Sequence, residues 1–278
     1  MSEPTLKRYR LKVAYEGTLF HGWQKQEPPG LEPLRTVAGV VERAIVTATQ
    51  QPIVLTGASR TDSGVHARGQ VAHFTAATRI PVERLASAIN SRLPEDVEIL
   101  SAEEAPDNFN AIAHASSKQY RYRIFNTNRR PLERRNIVYH CWHTLELERM
   151  NDAASRLEGE HDFASFAAAN HGRLTTVRTI FRCHVERDEP SDEWHIVVQG
   201  SGFLYNMVRI ISGTLVEVGR GAMSPSQVSA ALLERDRRLA GPTLPPTGLW
   251  LEWIKYPPDE VIRSYVAAEP AAEEPAPE

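Results

Sequence analysis

Apolar and polar residues alternate near the start of the chain, where Tyr9, Leu11, Val13 and Tyr15 interleave with Arg8, Arg10 and Lys12. A period of two gives a strand with one buried face. Gly17-Thr18 ends it, and Leu34, Val37, Val41, Ala44, Ile45 and Ala48 then recur at helical spacing. A short strand over residues 53–56 leads into a polar, glycine-bearing stretch, and a strand resumes over 70–74. Pro81 opens a helix carrying Leu85, Ala88, Ile89 and Leu93, at a position where its missing N–H matters little. Residues 97–100 form the next strand.

The second half repeats this order. Strands over 119–125 and 138–142 precede a helix over 147–157, and strands over 177–185 and 194–199 follow. Leu204, Met207, Val208, Ile211, Leu215 and Val218 share one stripe of a helix. A short helix starts at Pro225, and 249–254 closes the chain's regular part as a strand. Two successive β-α-β-β-α-β patterns predict an α+β fold of two ferredoxin-like halves, residues 1–112 and 113–258. Their sheets are expected side by side as one mostly antiparallel central sheet, with helices on one face. No residue-level repeat links the halves, so the duplication is of pattern alone. From Pro257 onward Pro, Ala and Glu leave little to bury, and 259–278 reads as a disordered acidic tail.

With 278 residues, 41% of them hydrophobic, the chain can bury a sizeable core in one large domain or two small ones. Its longest apolar stretch is interrupted by Asn206, Arg209 and Glu217, far from the roughly 20 continuous residues that span a bilayer. The opening MSEPTLKRYR has no apolar core behind its charges and does not read as a secretory signal. Cys141 and Cys183 form neither a disulfide framework nor a C-x-x-C pair, so a reduced, cytoplasmic protein is expected.

The formal net charge is −3, which sits awkwardly with a polyanionic partner. Six acidic residues against Arg263 between Asp259 and Glu278 account for −5, and the preceding residues carry +2. The basic residues there are clustered: Lys7, Arg8, Arg10 and Lys12; Arg121 and Arg123; Arg129, Arg130, Arg134 and Arg135; Arg235, Arg237 and Arg238. Clustered cations attract a polyanion even on a near-neutral chain. Each cluster taken alone reads as a solvated face, so charge permits a nucleic-acid partner without requiring one.

The densest chemistry lies between two strands, in Gly57-Ala58-Ser59-Arg60-Thr61-Asp62-Ser63-Gly64-Val65-His66-Ala67-Arg68-Gly69-Gln70. A loop between rigid strands is where reactive groups usually sit. It is equally what a tight turn needs, with Asp62 bonding its own backbone and glycines supplying unusual dihedrals. Position 61 is threonine where a serine-hydrolase elbow requires glycine. The glycines form neither G-x-G-x-x-G nor a P-loop, so no nucleotide cofactor is implied. Asp62 and His66 lack a third metal ligand at a recognisable spacing. The His140-Cys141-x-His143 cluster lies in a strand pattern that turns neighbours to opposite faces, and no essential metal is expected.

Residues Gly57 to Phe74, with Arg60-Thr61-Asp62, Gly64-Val65-His66-Ala67 and Gly69-Gln70-Val71, resemble the signature loop of TruA-type pseudouridine synthases. The resemblance extends along most of the chain. Tyr15-Glu16-Gly17-Thr18 with Gly22-Trp23-Gln24, Gln119 to Arg123, His161 to Phe166, Phe203 to Gly219 and Gly248 to Leu251 follow the family's segments in order. It implies an isomerase that turns uridine into pseudouridine in the anticodon stem-loop of tRNA, at positions 38 to 40, with no cofactor. It places the catalytic cleft between the two halves. Asp62 is then the catalytic carboxylate, Arg209 its ion-pair partner, and Tyr120 the active-site tyrosine that stacks on the target uracil. Arg60 fills the space of the flipped base or holds its phosphate, and His66 joins the substrate-binding set. The family also implies a homodimer with each tRNA touching both subunits.

Several positions depart from the family pattern. Asp107 to His114 follows Phe-His-Ala-Arg only loosely, Tyr205-Asn206 stands where a histidine pair is common, and Ile210 follows Arg209 where asparagine is frequent. These bear on contacts with RNA more than on the reaction. Two rival readings remain on sequence grounds: a non-catalytic tRNA-binding or folding module, and a small-molecule enzyme built on the same loop.

Overall fold

The computed structural model describes residues 4–30, 32–168 and 175–265. These fall into two compact units, one reaching to Ser116 and resuming at Leu251, the other running from Ser117 to Trp250. In the first, β1 (Lys7–Tyr15), α1 (Val37–Thr49), β2 (Thr56–Gly57), β3 (His66–Ala76), α2 (Val82–Asn90) and β4 (Val97–Ala105) follow in order. β1 lies antiparallel between β4 and β3. The alternation in β1 does what its period requires: Tyr9, Leu11, Val13 and Tyr15 are at most 3% exposed. Full burial of such side chains is worth about 1.5–3 kcal/mol each.

The second unit contains β5 (Ser117–Phe125), β6 (Tyr139–His140), α3 (Leu147–Ser155), β7 (Gly159–Asp162), β8 (Val177–Asp188), β9 (Glu193–Gly200), α4 (Met207–Gly219) and α5 (Pro225–Glu234). Its sheet runs β5-β9-β8-β7, antiparallel throughout, with β6 parallel to the end of β5. β10 (Leu249–Lys255) spans the boundary in sequence. In the first unit it lies along β3, where Gly69 leaves room for the backbone of Glu252 and Trp253.

The expected α+β class stands, with three local differences. The strand expected over 53–56 shrinks to Thr56–Gly57, because Pro52 offers no N–H and Val54 is left exposed. β3 starts at His66 rather than at 70, since Ala67 already pairs with Tyr15. Asp259–Ser264 forms a short helix, α6, where a disordered tail was expected. It buries Ile262 completely, Asp259 pairs with Arg10 at 3.2 Å, and Asn108 Nδ2 donates to the Ile262 and Tyr265 carbonyls. The rest of the acidic tail lies outside the described residues.

Candidate active site

In the first unit the stretch between β2 and β3 is seated on residues 15–23. Tyr15 Oη and Thr61 Oγ1 share a buried hydrogen bond of 2.8 Å, and Trp23 N donates to the Thr61 carbonyl at 3.1 Å. Gly64 N and Ser63 Oγ both donate to the Phe20 carbonyl. A turn closes beneath Asp62, whose carbonyl accepts from Val65 N at 3.1 Å. The seat is close enough to require glycine: a Cβ on Gly17 would come within 1.9 Å of the Val65 carbonyl oxygen. Gly22, at φ 85°, meets the Thr61 carbonyl in the same way. On the other side, buried Gln70 grips Ser59 twice, accepting from its N–H at 3.2 Å and donating to its carbonyl at 2.6 Å.

Asp62 is half-buried within this enclosure and Arg60 is exposed beside it. His66 is fully buried, and its Nδ1 accepts from Gly17 N at 3.0 Å. That bond places the neutral ring's proton on Nε2. The side chain therefore braces the loop from within the packing.

The second unit carries the other two expected residues. Tyr120, on β5, is 6% exposed and meets Phe203 edge to face, with centroids 5.1 Å apart. Tyr122 and Ile124 share its face and are fully buried. Tyr122 Oη donates to the Pro245 carbonyl at 2.7 Å, and burial pushes its pKa well above the ordinary value. Arg209 is half-buried in α4, where Met207, Val208, Ile210 and Ile211 around it are buried. Its Nε donates to the Leu244 carbonyl at 2.7 Å and its Nη1 to Asn206 Oδ1 at 2.6 Å.

The structure thus gathers Arg60 and Asp62, in the loop before β3, with His66 at the start of β3 in the first unit, and places Tyr120 and Arg209 in the second. Sequence reasoning gave no role to the seat formed by Tyr15, Gly17, Phe20, Gly22 and Trp23, or to the carbonyls of Leu244 and Pro245. The repeated glycines of both stretches were the available signal for the seat. Backbone carbonyls leave none.

Many of the clustered cations are already engaged. Lys7 pairs with Glu104, Arg10 with Glu103 and Asp259, Arg121 with Glu186, Arg123 and Arg134 with Glu193, and Arg238 with Asp236. Among the described residues no group of three or more His, Cys, Asp and Glu side chains could hold a metal ion. No helix among them is long and apolar enough to cross a membrane. Cys183 is fully enclosed, and burial raises its thiol pKa far beyond the reactive range.

The sequence pattern described as tRNA pseudouridine synthase matches residues 12–112 and 153–257. A protein named tRNA pseudouridine synthase A from Geotalea uraniireducens (strain Rf4) is 43% identical over 251 residues, 90% of this chain and 100% of that one. One of the same name from Geobacillus kaustophilus (strain HTA426) is 42% identical over 259 residues, 92% of this chain and 96% of that one. A third, from Thermoanaerobacter sp. (strain X514), is 41% identical over 251 residues, again 90% of this chain and 100% of the relative. Among solved structures, 3-hydroxy-3-methylglutaryl-coenzyme A reductase of Streptococcus pneumoniae aligns with 85% of this chain and 70% of its own. The identity is 10% and the TM-score 0.20, a level that carries no inference about fold or function.

Proposed function

The chain belongs to the tRNA pseudouridine synthase family, and we propose from that premise that it isomerises uridine to pseudouridine in the anticodon stem-loop of tRNA, with Asp62 as the reacting carboxylate. The observation that carries the reading is the enclosure of Asp62. Thr61, Ser63 and Val65 around it are fixed by hydrogen bonds, which hold the backbone that carries the half-buried Asp62 at a defined place. A preorganised group of this kind loses little freedom on reaching its transition state.

The chemistry needs no co-reactant, because substrate and product are isomers. The bond between the ribose C1′ and N1 of the base breaks, the base turns, C1′ joins C5, C5 loses its proton, and N1 gains one directly or by exchange with solvent. A carboxylate can add to the sugar or the ring and leave again, or accept the proton. For this it must be ionised in a site dry enough to hold a flipped base, and a cation nearby reconciles the two demands. Arg209 takes that part in the proposal. Tyr120 stacks on the uracil, and its hydroxyl assists loss of the C5 proton. Exposed Arg60 meets the RNA backbone or the gap left by the flipped base. Fully buried His66 serves by holding the loop on Gly17. Two copies of the chain act as a dimer, and sedimentation of an active monomer would refute that element alone.

Release of tritium from tRNA carrying 5-tritiated uridine tests the reading. Wild-type protein is expected to release the label stoichiometrically with product, and Asp62→Asn to release none above background. Binding of tRNA without release by either protein would instead favour the non-catalytic RNA-binding module.

A further inference from the structure

Two of the acceptors that hold Arg209 are neutral, the side-chain amide of Asn206 at 2.6 Å and the Leu244 carbonyl at 2.7 Å. A carboxylate in the place of Asn206 would bind a guanidinium more strongly and would cancel its charge in doing so. Asn206 is also in an unusual position. It is the N-cap residue of α4, a place where an asparagine oxygen normally accepts from a backbone N–H of the first turn. Here the side chain makes no such bond. The residue adopts the left-handed conformation, with φ 60°. Asparagine is among the few residues that tolerate it, and its oxygen is turned to Arg209 instead of the helix.

The other features of this end of α4 point the same way. Its first turn contains no acidic residue, so no side chain of that turn offsets the positive helix terminus. The second tether is rigid. Gly241 N donates to Thr214 Oγ1 at 2.8 Å, Leu244 N donates to the Arg209 carbonyl at 3.3 Å, and Tyr122 holds Pro245. Gly213 admits this segment against α4, since a Cβ there would lie 1.9 Å from the Pro242 carbonyl oxygen.

We infer that Asn206 is a positioning residue for the isomerisation, fixing the Arg209 guanidinium in place without itself bringing a charge that would cancel it. This rests on the reading of Arg209 as the cation that serves Asp62, and it adds how that cation is aimed. It also gives a role to a position where the chain departs from the family's usual histidine.

Two substitutions at one position separate this role from a structural one. Asn206→Gly keeps the left-handed backbone and removes the tether. Asn206→Asp keeps both backbone and acceptor, improves the helix cap, and brings a negative charge against the guanidinium. Single-turnover pseudouridine formation, tRNA affinity and melting temperature would be measured for both, with Arg209→Ala alongside. The Gly variant is expected to lose about tenfold in rate at unchanged tRNA affinity, the scale of one hydrogen bond to a charged group. The Asp variant is expected to be slower still, by on the order of a hundredfold, while melting at the same temperature or higher. A purely structural asparagine gives the reverse order, with the Asp variant at wild-type rate, and that result overturns the inference. Should the Asp variant fail to fold, a wild-type rate in the Gly variant overturns it equally. Arg209→Ala locates the fault: wild-type activity there removes the reading of Arg209 itself. An inactive Arg209→Ala beside a fully active Asn206→Asp removes only the role of Asn206.

Discussion

Half-buried Asp62 and buried Glu193 sit in segments that are fixed by different kinds of bond. Glu193, 3% exposed, is gripped by Arg123 through two bonds of 2.9 Å, by Arg134 at 2.7 Å and by His195 at 3.1 Å. Burial alone would raise its pKa. The hydrogen bonds from His195 and Arg123, with their charges, outweigh that and hold it at about 2. A carboxylate bound this way has its lone pairs committed and is a poor nucleophile. Around Asp62 the bonds that fix the loop run instead through backbone groups, Thr61, Ser63 and Gln70. The contrast is between a carboxylate that ties two strands of a sheet together and a loop fixed largely through its backbone, the loop in which we place the reacting Asp62.

The same isosteric change should therefore fail differently at the two sites. Asp62→Asn is expected to lower the rate of pseudouridine formation by at least about a thousandfold, as for other groups that enter the reaction directly. Its urea-denaturation midpoint should stay close to wild type. Glu193→Gln is expected to cost about 2–3 kcal/mol of stability, because it takes the counter-charge from half-buried Arg123 and Arg134. Below its new melting point that variant should retain wild-type turnover, and a turnover defect matching that of Asp62→Asn would erase the distinction.

Acid sharpens the comparison within the first unit. His73 is 8% exposed, its Nδ1 accepts from Ala111 N at 3.2 Å, and it meets Phe109 edge to face. Burial, reinforced by the charges of Arg8 and His114, lowers its pKa from 6.5 to about 4. The fold thus favours the neutral ring. The stability this contributes is complete above pH 6.5 and drains away as pH falls toward 4, to a total on the order of 3 kcal/mol. Glu193 adds a second loss only lower, between about 4.5 and 2. Urea midpoints measured from pH 7 to 4 should fall for wild type and stay flatter for His73→Asn, which supplies an acceptor that does not titrate. The smallest effect is expected from Tyr15→Phe, which leaves Thr61 Oγ1 without its 2.8 Å partner. A loss of about 1–2 kcal/mol with a modest drop in rate would agree with the seat supporting the loop, whereas wild-type behaviour in both would not.

Much of this was legible in the sequence where periodicity carried it. The alternation of β1 appears as expected, and the stripe residues from Met207 to Val218 are buried, although α4 is buried on nearly every side and not along that stripe alone. The loop around Asp62 stood out because a carboxylate, arginines, a histidine and glycines crowd one stretch between strands. β3 was harder, since His66, Arg68 and Gly69 read as loop until Ala67 is seen paired with Tyr15. α6 was hidden by its polar composition, with one fully buried side chain, Ile262, to anchor it. Arg209 could be picked out only by resemblance, because a single cation beside an apolar stripe reads as surface. Its cradle was unreadable: Leu244 and Pro245 act through carbonyls, and Asn206 acts through a conformation that no residue pattern announces.

The most direct measurement is the position of pseudouridine in unmodified tRNA after incubation with wild-type protein and with Asp62→Asn, read by carbodiimide adduct and primer extension. Stops confined to the anticodon stem-loop with wild type, and absent with the variant, are the expected result. Equal stops with both proteins would contradict the role of Asp62, and no stops with either would contradict the reaction itself.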